Sequence, residues 1–299
     1  MHIHGLTSRM AALVMACYLA FGSANATAQD TDISFNAADT SSPRDTLRSF
    51  ISACNELHAW VTTTKYLDRR NPKFVAIANR ALDCIDDSEI PAFSREERSG
   101  EIVACLKEII DRVEMPSWEE IPDAPEILAS GGFEKFTHYR IPDTRLTIAR
   151  IEDGPRRHEF LFSAGTVERA ASYFREMEAR PYRSGGPQVS KDLYRWYLSA
   201  PGNPLLGAIV DQFPQSLRLG RTLGLANWKW PGLILSLLIS IGLMSLAYRS
   251  YARWAEPAFE KGLLAYWLTL CLPIAAMLIP LGYSHFVYRY LTVRSIPLY

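Results

Sequence analysis

The stretch WKWPGLILSLLISIGLMSLAYRSYARW, Trp228–Trp254, decides the fold of this 299-residue chain. Every residue between Lys229 and Arg249 is uncharged. A helix that crosses a bilayer needs roughly 20 apolar residues at about 1.5 Å each. Aromatic residues favour the membrane–water interfaces, and those flanking this run are Trp228, Trp230, Tyr248 and Trp254. We predict a transmembrane helix over 229–249; the alternative is a helix buried in a soluble core.

A second uncharged run, GLLAYWLTLCLPIAAMLIPLGYS, covers 262–284. Pro273 and Pro280 interrupt its backbone hydrogen bonding, which is tolerated in membranes where neighbouring groups satisfy the freed carbonyls. We therefore predict a kinked second transmembrane helix over 262–288. The two remaining segments are assigned as connections, a loop over 250–261 and a short tail over 289–299.

The N-terminal segment has the layout of a secretory signal. Its apolar run, Met10–Phe21, is too short to span a membrane comfortably, and an A-T-A cleavage triplet ends at Ala28. We predict a signal peptide over 1–28 and a flexible leader over 29–41. The alternatives are an uncleaved anchor and a lipoprotein signal that uses Cys17.

Export determines the predicted orientation of the remaining chain. It places the polar bulk, 42–220, outside the cytoplasm, so the first span runs inward, the loop over 250–261 is cytoplasmic, and the second span returns outward. The lysines and arginines near the spans do not decide the orientation by themselves. We therefore expect a membrane protein whose polar domain lies outside the cytoplasm.

The domain over 42–220 opens with amphipathic helical patterns. Ser42–Pro43 and Asn71–Pro72 each join a capping residue to a proline in the first turn, where its missing N–H costs nothing. Apolar residues then recur at spacings of three and four, and a third such pattern covers Arg95–Val113. The sequence predicts a small bundle of three helices.

The hydrophobic period changes after this bundle. RLTIARI, Arg145–Ile151, and HEFLF, His158–Phe162, have strand propensity, and EDGPRR between them holds an Asp-Gly turn signal. We predict a β-hairpin, followed by a helix that Ser163 or Thr166 caps. The predicted fold is thus a membrane protein with a mainly α-helical (α+β) extracytoplasmic domain that contains a β-hairpin, followed by two transmembrane helices.

The hairpin tip carries the candidate binding residues Arg156, Arg157 and His158. Cationic side chains can hold an anion through charge-assisted hydrogen bonds. The alternative is a solvated turn, because a hairpin tip is a place where water reaches charged groups.

No catalytic constellation stands out in the sequence. The histidines of the predicted mature chain are widely separated, at His58, His138, His158 and His285. The chain has no H-E-x-x-H, phosphate loop, dinucleotide fingerprint or C-x-x-C. We expect no enzyme activity, no metal and no cofactor, and a formal net charge of zero argues against a nucleic-acid partner. Cys54, Cys84 and Cys105 remain in the exported region, where two of them could pair or all could pack as small hydrophobes.

Four segments carry a family resemblance. SPRDTLRSF opens the domain, ALDCIDDSEIP lies in its middle, EDGPRRHEFLFSAGTVERAASYF is followed by RPY, and NWKWPGL enters the predicted membrane region. Together they resemble the N-terminal part of large bacterial members of the mechanosensitive channel of small conductance family.

The resemblance implies that the chain is the sensor-and-anchor half of such a channel. It also implies a location in the bacterial inner membrane, with the extracytoplasmic domain in the periplasm. Members assemble as homo-oligomeric rings that open under membrane tension, and they contain a pore-lining helix and a cytoplasmic β-rich vestibule. Neither part is visible in this chain, so the resemblance implies a fragment, a truncated gene or a stand-alone accessory protein. The implied partners are membrane lipids and further copies of the chain, which would associate through the transmembrane helices.

A function of another class also fits the sequence. The chain could be a membrane-tethered periplasmic module that binds an unidentified ligand or envelope protein without conducting ions. An envelope enzyme is a third interpretation, which would require histidines and carboxylates that are distant in sequence to converge in the fold.

Overall fold

The computed structural model of the chain describes residues 37–260, 267 and 270–291. The predicted signal peptide, the first part of the leader, the start of the second predicted span and most of the tail lie outside the described residues. Across the described residues the chain is mostly helical, with one three-stranded and one two-stranded sheet. This agrees with the predicted mixture of many helices and little sheet.

The first three helices confirm the predicted bundle. They are α1 (Pro43–Thr64), α2 (Pro72–Leu82) and α3 (Arg95–Ile110). The side chains of Ser42 and Asn71 accept hydrogen bonds from first-turn N–H groups, which satisfies donors that a helix leaves unpaired. The capping residues and the prolines that follow them therefore set where α1 and α2 begin.

The predicted hairpin is confirmed as part of an antiparallel three-stranded sheet. Its strands are β2 (Thr147–Arg150) and β3 (Phe160–Phe162), paired so that Ile148 lies opposite Phe162. A further strand, β1 (His138–Arg140), pairs with β2 and was not predicted. All three of its residues are exposed or half-buried, so it lacks the apolar alternation by which a strand is found in a sequence.

The connector between α3 and the sheet has short helical elements of its own. It contains a 3-10 turn at Trp118–Glu120 and a short helix, α4 (Ala124–Ala129). Arg44 of α1 donates to the carbonyl of Ile121 at 2.6 Å and pairs with the Asp123 carboxylate at 2.7 Å. The connector is thus fastened to the start of the bundle.

The main core lies between the helices and the buried face of the sheet, with α5 (Ala164–Met177) packed against α3. Phe50 and Phe162 meet edge to face with ring centroids 4.9 Å apart. Ser163 caps α5 as predicted, by accepting from the Thr166 N–H. The core includes Leu47, Phe50, Cys54, Leu106, Ile110, Ile148, Phe162, Val167 and Phe174.

The cysteines of the domain pack in this core rather than pair. Cys54, Cys84 and Cys105 are all free and buried. Burial raises the pKa of the Cys84 thiol to about 12, and it also raises the pKa of Cys54 and Cys105. Of the two alternatives, the structure therefore supports packing as small hydrophobes.

Short elements connect α5 to the apolar helices. In chain order they are α6 (Leu193–Ser199), α7 (Pro204–Val210), α8 (Gln215–Leu219), β4 (Arg221–Thr222) and β5 (Leu225–Ala226). The two short strands pair antiparallel.

Two long apolar helices follow, α9 (Lys229–Glu260) and α10 (Cys271–Arg289), and they pack against each other. Both are long and apolar enough to cross a membrane, with mean hydropathies of 1.9 and 1.4 over their candidate spans. Their apolar side chains lie largely on the surface; Leu246 is 62% exposed and Met277 is 76% exposed. The two predicted spans therefore correspond to two candidate membrane-spanning helices.

One boundary differs from the prediction. Residues 250–260, assigned to a loop, continue α9 as helix. Charges at Arg249 and Arg253 end the apolar run, but arginine is a good helix former, so they do not end the helix. Pro280 lies inside α10, and the helix continues on both sides of it.

The packing of the cysteines gives a direct prediction. In the native full-length chain carrying Cys17→Ser and Cys271→Ser, we expect Cys54, Cys84 and Cys105 to resist maleimide, because burial keeps them protonated and out of reach. After denaturation without reductant, all three should react. Thiol counting by mass spectrometry checks this, and a loss of two reactive thiols that reductant restores would instead establish a disulfide.

Candidate functional site at the domain–helix junction

The first residues of α9 are built into the folded domain. The indole N–H of Trp228 donates to the Ser199 carbonyl at 2.8 Å, and Lys229 Nζ donates to the Leu198 carbonyl at 2.8 Å. Both acceptors belong to the last turn of α6, where helix carbonyls lack intrahelical partners. We call Leu198, Ser199, Trp228 and Lys229 the junction.

The electrostatics of the junction suit a cation at this point. The C-terminal end of a helix carries partial negative charge, so the Lys229 ammonium lies where the α6 dipole favours it. Lys229 is only 1% exposed. A buried charge is costly unless it is hydrogen-bonded. The bond from Lys229 to α6 therefore offsets the cost of burying the ammonium and holds the start of α9 against α6.

The far end of α10 returns to the same place. Leu291 is 2% exposed and packs in a buried cluster with Val210, Ala226 and Trp228. The backbone N–H of Gly202 donates to the Tyr290 carbonyl at 3.2 Å. The start of α9 and the end of α10 therefore meet the domain side by side.

Gly232 allows this close approach. A Cβ placed on Gly232 would lie 2.9 Å from Leu291 Cδ2, which is closer than real Cβ atoms come. The absence of a side chain at this position of α9 lets the segment after α10 pack directly against it.

A buried polar network holds α6 and the segment before it in the domain. Glu108 of α3 accepts from the Tyr182 hydroxyl at 2.9 Å and from the Tyr194 N–H at 3.1 Å. It also pairs with Arg112, whose guanidinium lies 4.0 Å from the centre of the Tyr182 ring. Burial raises the pKa of Tyr182 to about 12, so this hydroxyl remains a hydrogen-bond donor at physiological pH.

A second ion pair lies one residue away on α3. Lys107 and Asp111 are both fully buried, with Lys107 Nζ 2.7 Å from Asp111 Oδ2. Lys107 also donates to the Gln188 carbonyl at 3.2 Å, and Asp111 accepts from the Ser190 N–H at 2.8 Å. Buried ion pairs persist when further hydrogen bonds satisfy them, and here those bonds come from the segment that leads into α6.

The structure thus provides a continuous path from the bundle to the apolar helices. The network joins α3 to the segment before α6, and the carbonyls of α6 hold the start of α9. Hydrogen bonds and buried contacts therefore link α9 to α3 through α6 and the segment before it.

The predicted anion-binding residues do not form one open cationic group. Arg156 donates to the Glu159 carboxylate at 2.7 Å and to the carbonyls of Asp83 and Ile85, so it fastens the hairpin to the end of α2. Arg157 is exposed. His158 is exposed, with a left-handed φ of 79°, and its ring contacts the Arg150 guanidinium. Anion binding at this tip stays a prediction.

Sequence reasoning did not find the junction or the network. In the sequence, Trp228 and Lys229 have the pattern of residues that flank a membrane helix at the interface. Their contacts with α6 cannot be inferred from the spacing of neighbouring residues. Lys107–Asp111 and Glu108–Arg112 are i,i+4 pairs, a pattern usually seen on exposed helix faces. No group of histidines, cysteines or carboxylates that could hold a metal occurs in the part of the chain that the structure describes.

The junction predicts a difference between two neighbouring tryptophans. Trp228→Phe should lower the unfolding free energy by about 1 kcal/mol, because it removes a buried hydrogen bond. Trp230→Phe is the matched control, since the Trp230 indole makes a longer, exposed bond of 3.3 Å. Calorimetry of the full chain in detergent measures both, and equal effects would contradict a specific role for Trp228.

Comparisons with known protein families, curated proteins and solved structures found no match to this chain.

Proposed function

We propose that this chain is the sensor-and-anchor half of a tension-gated channel similar to the mechanosensitive channel of small conductance family. Its α+β domain would lie in the periplasm, and α9 and α10 would cross the bacterial inner membrane. The observation that carries the proposal is the junction, where the start of α9 and the residues after α10 are built into one buried cluster. The proposed role is non-enzymatic.

The geometry suits an inward and a returning span. With 32 residues, α9 is about 48 Å long at 1.5 Å per residue, whereas a bilayer core is about 30 Å thick. The helix can therefore cross the membrane and carry Arg249 and Arg253 beyond its cytoplasmic face. A returning α10 brings Leu291 back to the domain, so the start of α9 and the end of α10 lie on the same side of the membrane as the domain.

Tension would act on the lipid-exposed helices. A state that occupies more membrane area gains free energy in proportion to tension, and a rigid junction obliges the domain to follow the helices. A ligand of the domain would bias gating only by binding the two states unequally. The apolar surfaces of α9 and α10 would contact lipid and further copies of the chain in a homo-oligomer.

A second function is favoured by a separate observation. A polar cleft in the folded domain, lined by Arg140, Arg145 and Arg180 among others, would suit a membrane-tethered binding module that does not conduct. Saturable ligand binding without any stretch-activated current would favour this alternative.

Electrophysiology tests the channel proposal. In a bacterial strain that lacks its own tension-gated channels, the open reading frame that holds this chain should give stretch-activated currents in excised patches. We expect no current from these 299 residues alone, because conduction in the family needs the pore-lining helix.

The junction provides the matched variants. Trp228→Phe in the conducting protein should shift the tension threshold, and Trp230→Phe should leave it unchanged. If the product of the whole open reading frame is expressed and inserted in the membrane but gives no current under tension, the channel proposal is wrong.

A further inference from the structure

A cleft of about 660 Å³ opens between the turn that joins β1 to β2 and the C-terminal end of α5. This volume lies in the range of roughly 300–1,000 Å³ that small-molecule sites occupy. The cleft lies away from the junction and from the hairpin tip. Its charged lining residues are Arg140, Asp143, Arg145, Glu176 and Arg180.

One wall of the cleft is held rigid by its own hydrogen bonds. The buried Thr144 hydroxyl donates to the Ile141 carbonyl at 2.8 Å and accepts from the Leu146 N–H at 3.0 Å. Arg140 Nε donates to the Thr144 carbonyl at 2.9 Å. This bond uses Nε, so it orients the Arg140 guanidinium without occupying its two terminal nitrogens. The wall therefore needs little reorganisation to bind a ligand.

The charges of the cleft favour an anion. Three arginines face two carboxylates, which is a formal surplus of one positive charge, 3 − 2. Arg145 pairs with Glu176, while no ion pair of Arg140 or Arg180 occurs among the described residues. The carbonyls at the end of α5 add partial negative charge, so an anion must engage the guanidinium groups directly.

The Arg145–Glu176 pair can yield to a ligand. The two side chains are 63% and 54% exposed, and ion pairs this exposed contribute little to stability. Arg145 also lies over the Tyr173 ring, 5.2 Å from its centre, which holds the guanidinium at the cleft when its carboxylate partner is displaced.

We propose that this cleft binds a small molecule through a carboxylate or phosphate group, held by the forked donors of Arg140 and Arg180 with Arg145 as a third contact. Guanidinium groups match these oxyanions in a two-bond geometry. The site lies in the folded domain and does not depend on the proposed channel function.

Calorimetric titration of the full-length chain in neutral detergent tests the proposal. Inorganic phosphate and succinate are the soluble probes, and micelles doped with phosphatidylglycerol present the same phosphate chemistry as a lipid headgroup. We expect saturable binding of at least one probe. The double variant Arg140→Gln/Arg180→Gln should weaken it at least about tenfold, which corresponds to about 1.4 kcal/mol.

Two further variants keep the result interpretable. Glu176→Gln should tighten binding, because it removes a negative charge and frees Arg145, and a misfolded protein would not gain affinity. Arg169→Gln, an exposed arginine on α5, should leave binding unchanged.

Each outcome decides for or against the cleft. Phosphate or succinate binding lost in the double variant supports a soluble ligand, and binding of the doped micelles alone, lost in the same variant, supports a headgroup. Binding that Arg157→Gln abolishes and the double variant does not would move the site to the hairpin tip. That result, or no saturable binding of any probe, would overturn the proposal.

Discussion

The exposed apolar surface of α9 and α10 constrains everything else in this protein. Apolar area left in water costs about 25 cal/mol per Å², and side chains such as Leu246 and Met277 are mostly uncovered within the chain. Helices satisfy their own backbone hydrogen bonds, which is what a lipid environment demands. A membrane around the two helices accounts for both features, and it also sets where the polar domain must lie.

The junction connects the two apolar helices to the polar domain through buried contacts. A flexible linker would let a domain move independently of its membrane helix. Here the connection is a buried indole, a buried ammonium and a leucine cluster, and α6 in turn is held by the ion pairs of α3. Each charged group of the polar network has more than one partner, so separating α6 and the segment before it from α3 would leave buried charges unpaired.

Local signals in the sequence predicted the three bundle helices, the hairpin, α5 and the two apolar helices, because the causes of these elements are local. Ser42–Pro43 and Asn71–Pro72 set helix starts through neighbouring atoms. The Asp-Gly signal lies in the connection between β2 and β3, where the Gly154 carbonyl accepts from the Arg157 N–H. The features that were missed depend on contacts distant in sequence: Glu108 with Tyr182, Ser199 with Trp228, and Arg44 with Ile121. At the hairpin tip, the residue types suggested a cationic group, but Arg156 is bonded to carbonyls at the end of α2 that no spacing reveals.

Topology mapping with paired reporters tests the central claim most directly. Alkaline phosphatase is active only outside the cytoplasm. Green fluorescent protein fluoresces in the cytoplasm but not after export through the general secretory route. Each reporter would be fused after Gly220, Arg253 and Tyr299. The account predicts phosphatase activity after Gly220 and Tyr299 and fluorescence only after Arg253. Fluorescence after Gly220, or active phosphatase after Arg253, would contradict it.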